Sequence, residues 1–60
     1  MKIYKIITKI DTVYYIAAKS GASALKALED FAKSLDKRAE VKTLQVLEGT
    51  FLIDIPWDKI

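Results

Sequence analysis

The sequence predicts an α+β fold: a single domain over residues 1–60, with one helix packed on a four-stranded, mostly antiparallel sheet in the order β-β-α-β-β. Three observations lead there. The hydrophobic period is two from Lys2 to Lys19, becomes 3.6 over Ser20 to Asp36, and returns to two from Val41 to Ile55. The helical stretch carries one apolar stripe, so it has one face to bury and needs a sheet to cover. No repeat, low-complexity tract or linker divides the chain.

Lys2 to Lys9 and Val13 to Lys19 are rich in Ile, Tyr, Val and Thr, residues that suit a pleated, half-buried strand. Asp11-Thr12 lies between them as the expected hairpin tip. Pairing Ile6 with Ile16 puts Tyr4, Ile6, Thr8, Tyr14, Ile16 and Ala18 on one face. Ile3, Lys5, Ile7, Lys9, Val13, Tyr15 and Ala17 then share the other. A slip of one residue would exchange the faces of one strand.

Ser20 to Asp36 reads as the helix. At 100° per residue, Ala24, Leu25, Leu28, Phe31, Ala32 and Leu35 fall within an arc of roughly 120°, the width of a core-facing stripe. Lys26, Glu29, Asp30 and Lys33 take the opposite side. Ser20 is the expected N-cap, its hydroxyl accepting from a first-turn N–H that has no intrahelical partner. Ser23 stands where a capping box would have Glu or Gln. The helix is expected to end within Ser34 to Arg38.

Val41 to Leu47 and Thr50 to Ile55 read as a second hairpin turning on Glu48-Gly49, with Gly at the second turn position. That turn pairs Val46 with Phe51 and Leu44 with Ile53, and collects Leu44, Val46, Phe51, Ile53 and Ile55 on one face. Pro56 has no N–H to donate to a ladder and closes the last strand. Ordering the strands 2-1-3-4 makes every neighbouring pair antiparallel. The expected core is Ile6, Ile16, Leu25, Leu28, Phe31, Leu35, Leu44, Val46, Phe51 and Ile53.

Composition narrows the function. A chain of 60 residues buries only ~60% of the surface that its unfolded form exposes. Domains this small gain stability from disulfides, a metal or a partner subunit. The sequence has no cysteine and no histidine, which removes disulfides, thiolate metal sites and the commonest nitrogen ligand. Association with a partner, or unusually good packing, remains. Ten basic and eight acidic residues give a net charge of +2, less lopsided than in dedicated nucleic-acid modules. The opening residues alternate like a strand and show no secretory signal, and no apolar run approaches the ~20 residues that span a bilayer. A cytoplasmic protein with no membrane association is expected.

No catalytic set emerges. A serine or threonine nucleophile needs an adjacent base, and Ser20, Ser23 and Ser34 are accounted for by the start and polar side of the helix. Asp11, Asp30, Asp36, Asp54 and Asp58 are dispersed, without the spacing of a calcium loop. Ser20-Gly21-Ala22-Ser23 follows a strand and opens a helix, so its N–H groups could meet an anion, but it lacks the further glycines of a phosphate-binding loop. We expect a protein that is not an enzyme and has no metal or cofactor.

Two surfaces suggest partners. Ile3, Ile7, Val13 and Tyr15 from the first hairpin, with Val41, Leu47 and Leu52 from the second, are expected on the sheet face opposite the helix. A solvated sheet face normally reads polar, and a contiguous apolar set marks a contact surface. This points to a homodimer or another protein partner, unless Trp57 and Ile60 fold back over that face. The alternative is a nucleic-acid-binding face built from Lys5, Lys9, Lys19 and Tyr15, with lysines for phosphates and an aromatic for a base. Lysines on an edge-prone strand also serve simply to discourage aggregation.

The run Tyr14-Tyr15-Ile16-Ala17-Ala18-Lys19-Ser20, followed by Ala24-Leu25, resembles short strand-strand-helix accessory proteins of bacteriophages and mobile elements. The likeness covers residues 12–28. Gly21, Ala22 and Ser23 depart from it, standing where acidic residues usually fill the helix start. The resemblance implies a small accessory or regulatory protein and carries over no functional residue.

Overall fold

A computed structural model describes residues 1–38 and 40–60. Its elements are β1 (Lys2–Thr8), β2 (Val13–Ala18), α1 (Gly21–Ser34), β3 (Val41–Glu48), β4 (Phe51–Asp54) and a 3-10 turn at Trp57–Lys59. The sheet runs β2-β1-β3-β4 with every neighbouring pair antiparallel. The expected fold class and strand order are those observed.

Both hairpins differ from expectation by two residues. Ile6 lies opposite Tyr14 rather than Ile16, and Val46 opposite Ile53 rather than Phe51. A two-residue shift preserves side-chain parity, so the faces stay as expected. The turns explain the shifts. In the first, Asp11 N–H donates to the Thr8 carbonyl and Thr8 N–H to the Thr12 carbonyl, each at 2.9 Å. Asp11 has φ +63, giving a three-residue loop that ends in a left-handed residue. In the second, Glu48 lies opposite Phe51, so the loop is Gly49-Thr50, with φ +63 at Gly49. Glycine therefore occupies the first turn position, as a type II′ turn requires, not the second.

The helix begins as expected, with Ser20 Oγ accepting from Ser23 N–H at 3.2 Å. It ends on bonds the sequence does not advertise. Asp36 N–H donates to the Lys33 carbonyl (3.0 Å) and Lys37 N–H to the Ala32 carbonyl (2.9 Å), with Asp36 at φ +54. This is the Schellman pairing with aspartate in the place glycine usually fills.

The core lies between α1 and the two central strands. Tyr4, Ile6, Leu44 and Val46 meet Ala24 and Leu28, with Ala18 beside them. Ala24, Leu28 and Ala32 form the buried stripe of the helix, and its small residues let the backbone approach the sheet closely. Gly21 extends that approach, since a Cβ there would lie 3.1 Å from Leu44 Cδ2.

Four expected core residues are exposed, and Ile16 and Leu25 are partly buried against the core. Phe31 and Leu35 are half exposed because they flank the stripe on the side of edge strand β2, where Phe31 meets Tyr14 edge-to-face at a centroid distance of 6.2 Å. Phe51 (74% exposed) and Ile53 lie on the helix side of β4, but α1 packs over β2 and β1. A helix is ~10–12 Å across with its side chains, and strands are ~4.8 Å apart, so one helix cannot cover all four.

Leu28→Ala is expected to cost ~2–5 kcal/mol, enough to unfold a domain of this size. Phe51→Ala, equally apolar in sequence, should cost under ~1 kcal/mol. Chemical denaturation of the two variants distinguishes these roles, and equal losses would contradict the placement of the helix.

Candidate interaction surface

The face opposite the helix is ordered in rows by the observed registers. Ile7 lies between Val13 and Thr43. The next row runs Tyr15, Lys5, Gln45, Asp54, with Gln45 Nε2 donating to Asp54 Oδ1 at 2.6 Å. In the third row Ala17 faces Ile3 and Leu47 faces Leu52. Continuing the β1–β3 register one step past Tyr4–Val46 brings Ile3 beside Leu47. The result is two apolar rows separated by a polar one. Ile3, Val13, Tyr15, Leu47 and Leu52 are all exposed, Tyr15 the most at 65%, and Ile7 is partly buried.

Val41 does not belong to this face. The β1–β3 register shifts between Ile7 and Thr8, pairing Thr8 with Val41 and leaving Lys42 as the extra residue. The bulge turns Val41 to the helix side, where it packs against the core. The C-terminal segment also leaves the face open at one point where cover was conceivable, because Lys59 and Ile60 line a pocket on the helix side with Tyr4 and Gly21.

The basic-aromatic set is only partly assembled. Lys5 and Tyr15 are direct cross-strand partners. Lys9 lies beyond the end of β1, with its Nζ 3.8 Å from Glu40 Oε2. Lys19 is at the other end of the hairpin, about 20 Å away by strand rise, and lines the pocket at the start of α1. A single strand of nucleic acid crossing Lys5 and Tyr15 would therefore meet Gln45 and Asp54 on the same row, not further lysines.

Sequence reasoning placed Phe51 and Ile53 in the core and so missed a second exposed apolar patch on β4. The signal was present in the ratio of one helix to four strands. A third apolar surface lies in a groove of ≈ 460 Å³, where Ile10, Tyr14, Phe31 and Leu35 are edged by Lys37 and Arg38. Among the described residues, no three Asp or Glu side chains converge on a possible metal position. No helix of the structure is long and apolar enough to cross a membrane.

Compared with known protein families, curated proteins and solved structures, the chain matches none of them.

One ion pair lies on the opposite, helix-facing side of the sheet, at the end of β1 and β3. Lys2 Nζ lies 2.5 Å from Glu48 Oε1, and this hydrogen bond and charge hold the Lys2 pKa above its ordinary 10.5. A raised lysine pKa contributes stability fully below the unfolded value of 10.5, and that contribution is lost as pH rises through the folded value. Glu48→Gln is expected to return Lys2 to its ordinary titration, followed by the Cε proton shift. An unchanged Lys2 titration would show that the pair does not persist in solution.

Proposed function

We infer that this chain is a small, non-catalytic interaction protein that works as a homodimer, associating through the sheet face opposite the helix. The observation that carries the reading is the simultaneous exposure of Ile3, Leu47, Leu52, Val13 and Tyr15 on one face. Scattered apolar side chains at a surface need no explanation, but the registers join three of these into one continuous row. The stability argument runs the same way, since a domain of 60 residues with no cysteine has few other means of reinforcement.

A two-fold interface uses the same patch on both copies. The middle row suits such pairing, because it carries a cation at Lys5 and an anion at Asp54. The role that fits is that of a cytoplasmic accessory or regulatory protein, in keeping with the resemblance over residues 12–28. The direct Lys5–Tyr15 pairing favours one second reading, in which that row stacks a base and holds a phosphate.

Sedimentation at micromolar concentration tests the dimer, with Ile3→Lys and Leu52→Lys as probes. Each variant should raise the dissociation constant at least about tenfold, since burying one such side chain is worth ~1.5–3 kcal/mol. A strictly monomeric wild type would rule the homodimer out. Affinity for an oligonucleotide that falls steeply with salt and is lost in Tyr15→Ala would support the second reading instead.

A further inference from the structure

The two edges of the sheet are not alike. β4 is short, carries Asp54 and is soon followed by Pro56, ordinary guards against pairing with another strand. β2 has no charged residue, no proline and no break in its register with β1. The ladder shows what its free side offers. Thr8 N–H donates to the Thr12 carbonyl and Lys9 N–H to the Glu40 carbonyl, so even-numbered residues of β1 bond to β2 and odd-numbered ones to β3. Tyr14, Ile16 and Ala18, opposite the even-numbered residues, are turned inward. Val13, Tyr15 and Ala17 therefore point their N–H and carbonyl groups outward, where the sheet has no further strand.

The helix is open on the same side. Phe31, half exposed, overhangs β2 at Tyr14. Ala27, one turn earlier on that flank, is exposed as well.

We propose that β2 pairs antiparallel with β2 of a second copy, about a two-fold axis through Tyr15. A second copy is the occupant that the edge itself specifies. With the axis there, the outward groups match one for one, Tyr15 with Tyr15 and Val13 with Ala17 in both directions. Continuing this register past the strand ends brings Lys19 towards Asp11 of the other copy, twice over. Lys19 forms no ion pair within its own chain among the described residues. The helices fit too. α1 packs over β2 and β1, about one strand spacing from the axis, so two helices come ~10 Å apart, the separation of packed helices. They run antiparallel, and Phe31 lies beside Tyr14, next to the axis. Phe31 of each copy then rests on Ala27 of the other, a large side chain over a small one.

This contact is separate from the outer sheet face. Its axis stands perpendicular to the sheet, at right angles to an axis lying between two outer faces, so the two contacts together close as a tetramer. Amide hydrogen exchange and sedimentation of the full chain over a range of concentrations test it. The Val13, Tyr15 and Ala17 amides should become protected as concentration rises. Ala17→Pro removes one outward N–H from each copy, and Ala27→Glu sets a charge against Phe31. Each should raise the dissociation constant of the edge contact at least about tenfold, and both positions are exposed, so the fold should survive. Ile3→Lys and Leu52→Lys, which disrupt the outer face, should leave an edge-paired dimer with the Tyr15 amide still protected. Tyr15 exchange that is independent of concentration, or association unmoved by both Ala17→Pro and Ala27→Glu, would overturn the edge pairing and leave the outer-face reading standing.

Discussion

The width of one helix governs this molecule. An α-helix with its side chains is ~10–12 Å across, whereas four strands spaced ~4.8 Å apart make a broader sheet. The helix therefore has to choose, and it packs over β2 and β1 with its first turn reaching Leu44 of β3. Everything beneath it is well buried, from Ile6 to Leu28. Beyond it lie apolar side chains without a lid, Phe51 and Ile53 on the helix side and Ile3, Leu47 and Leu52 on the other. The exposed patches are one consequence of a two-layer design with a single helix.

Much of this was legible in the sequence because strand faces depend on parity, not on register. Both hairpins were read two residues out, and both still presented the right side chains to the helix. The errors arose where geometry departs from simple alternation. The bulge opposite Ile7 and Thr8 reversed Val41 alone, and nothing in the residues around it announces an extra one. Asp11 and Asp36 took left-handed conformations without glycine, which aspartate tolerates but does not require. Phe31 and Leu35 belonged to the correct helical arc and lay at its margin, over the sheet's edge at β2, where they stay half exposed.

The candidate surface was legible in the same degree. Six of its seven expected residues do lie on the face opposite the helix, but the polar row of Lys5, Gln45 and Asp54 that divides them appears only once strands are set side by side. The alternative basic set fails to assemble for a related reason. Lys9 and Lys19 share a hairpin with Lys5 yet occupy its two ends, and each meets a different environment. Lys19 belongs with the start of α1, where Tyr4 closes the pocket from below. No spacing in the sequence brings Tyr4, Gly21 and Lys59 together, because the contact depends on where the C-terminal segment turns.

The central claim is that the outer sheet face is the surface on which two copies meet. Isotope-filtered NOE spectroscopy on a mixture of labelled and unlabelled chains tests it most directly. Contacts between chains should arise from the methyl groups of Ile3, Leu47 and Leu52. Contacts confined to Phe51 and Ile53, in a sample that sediments as a dimer, would place the interface on the helix side and contradict the account.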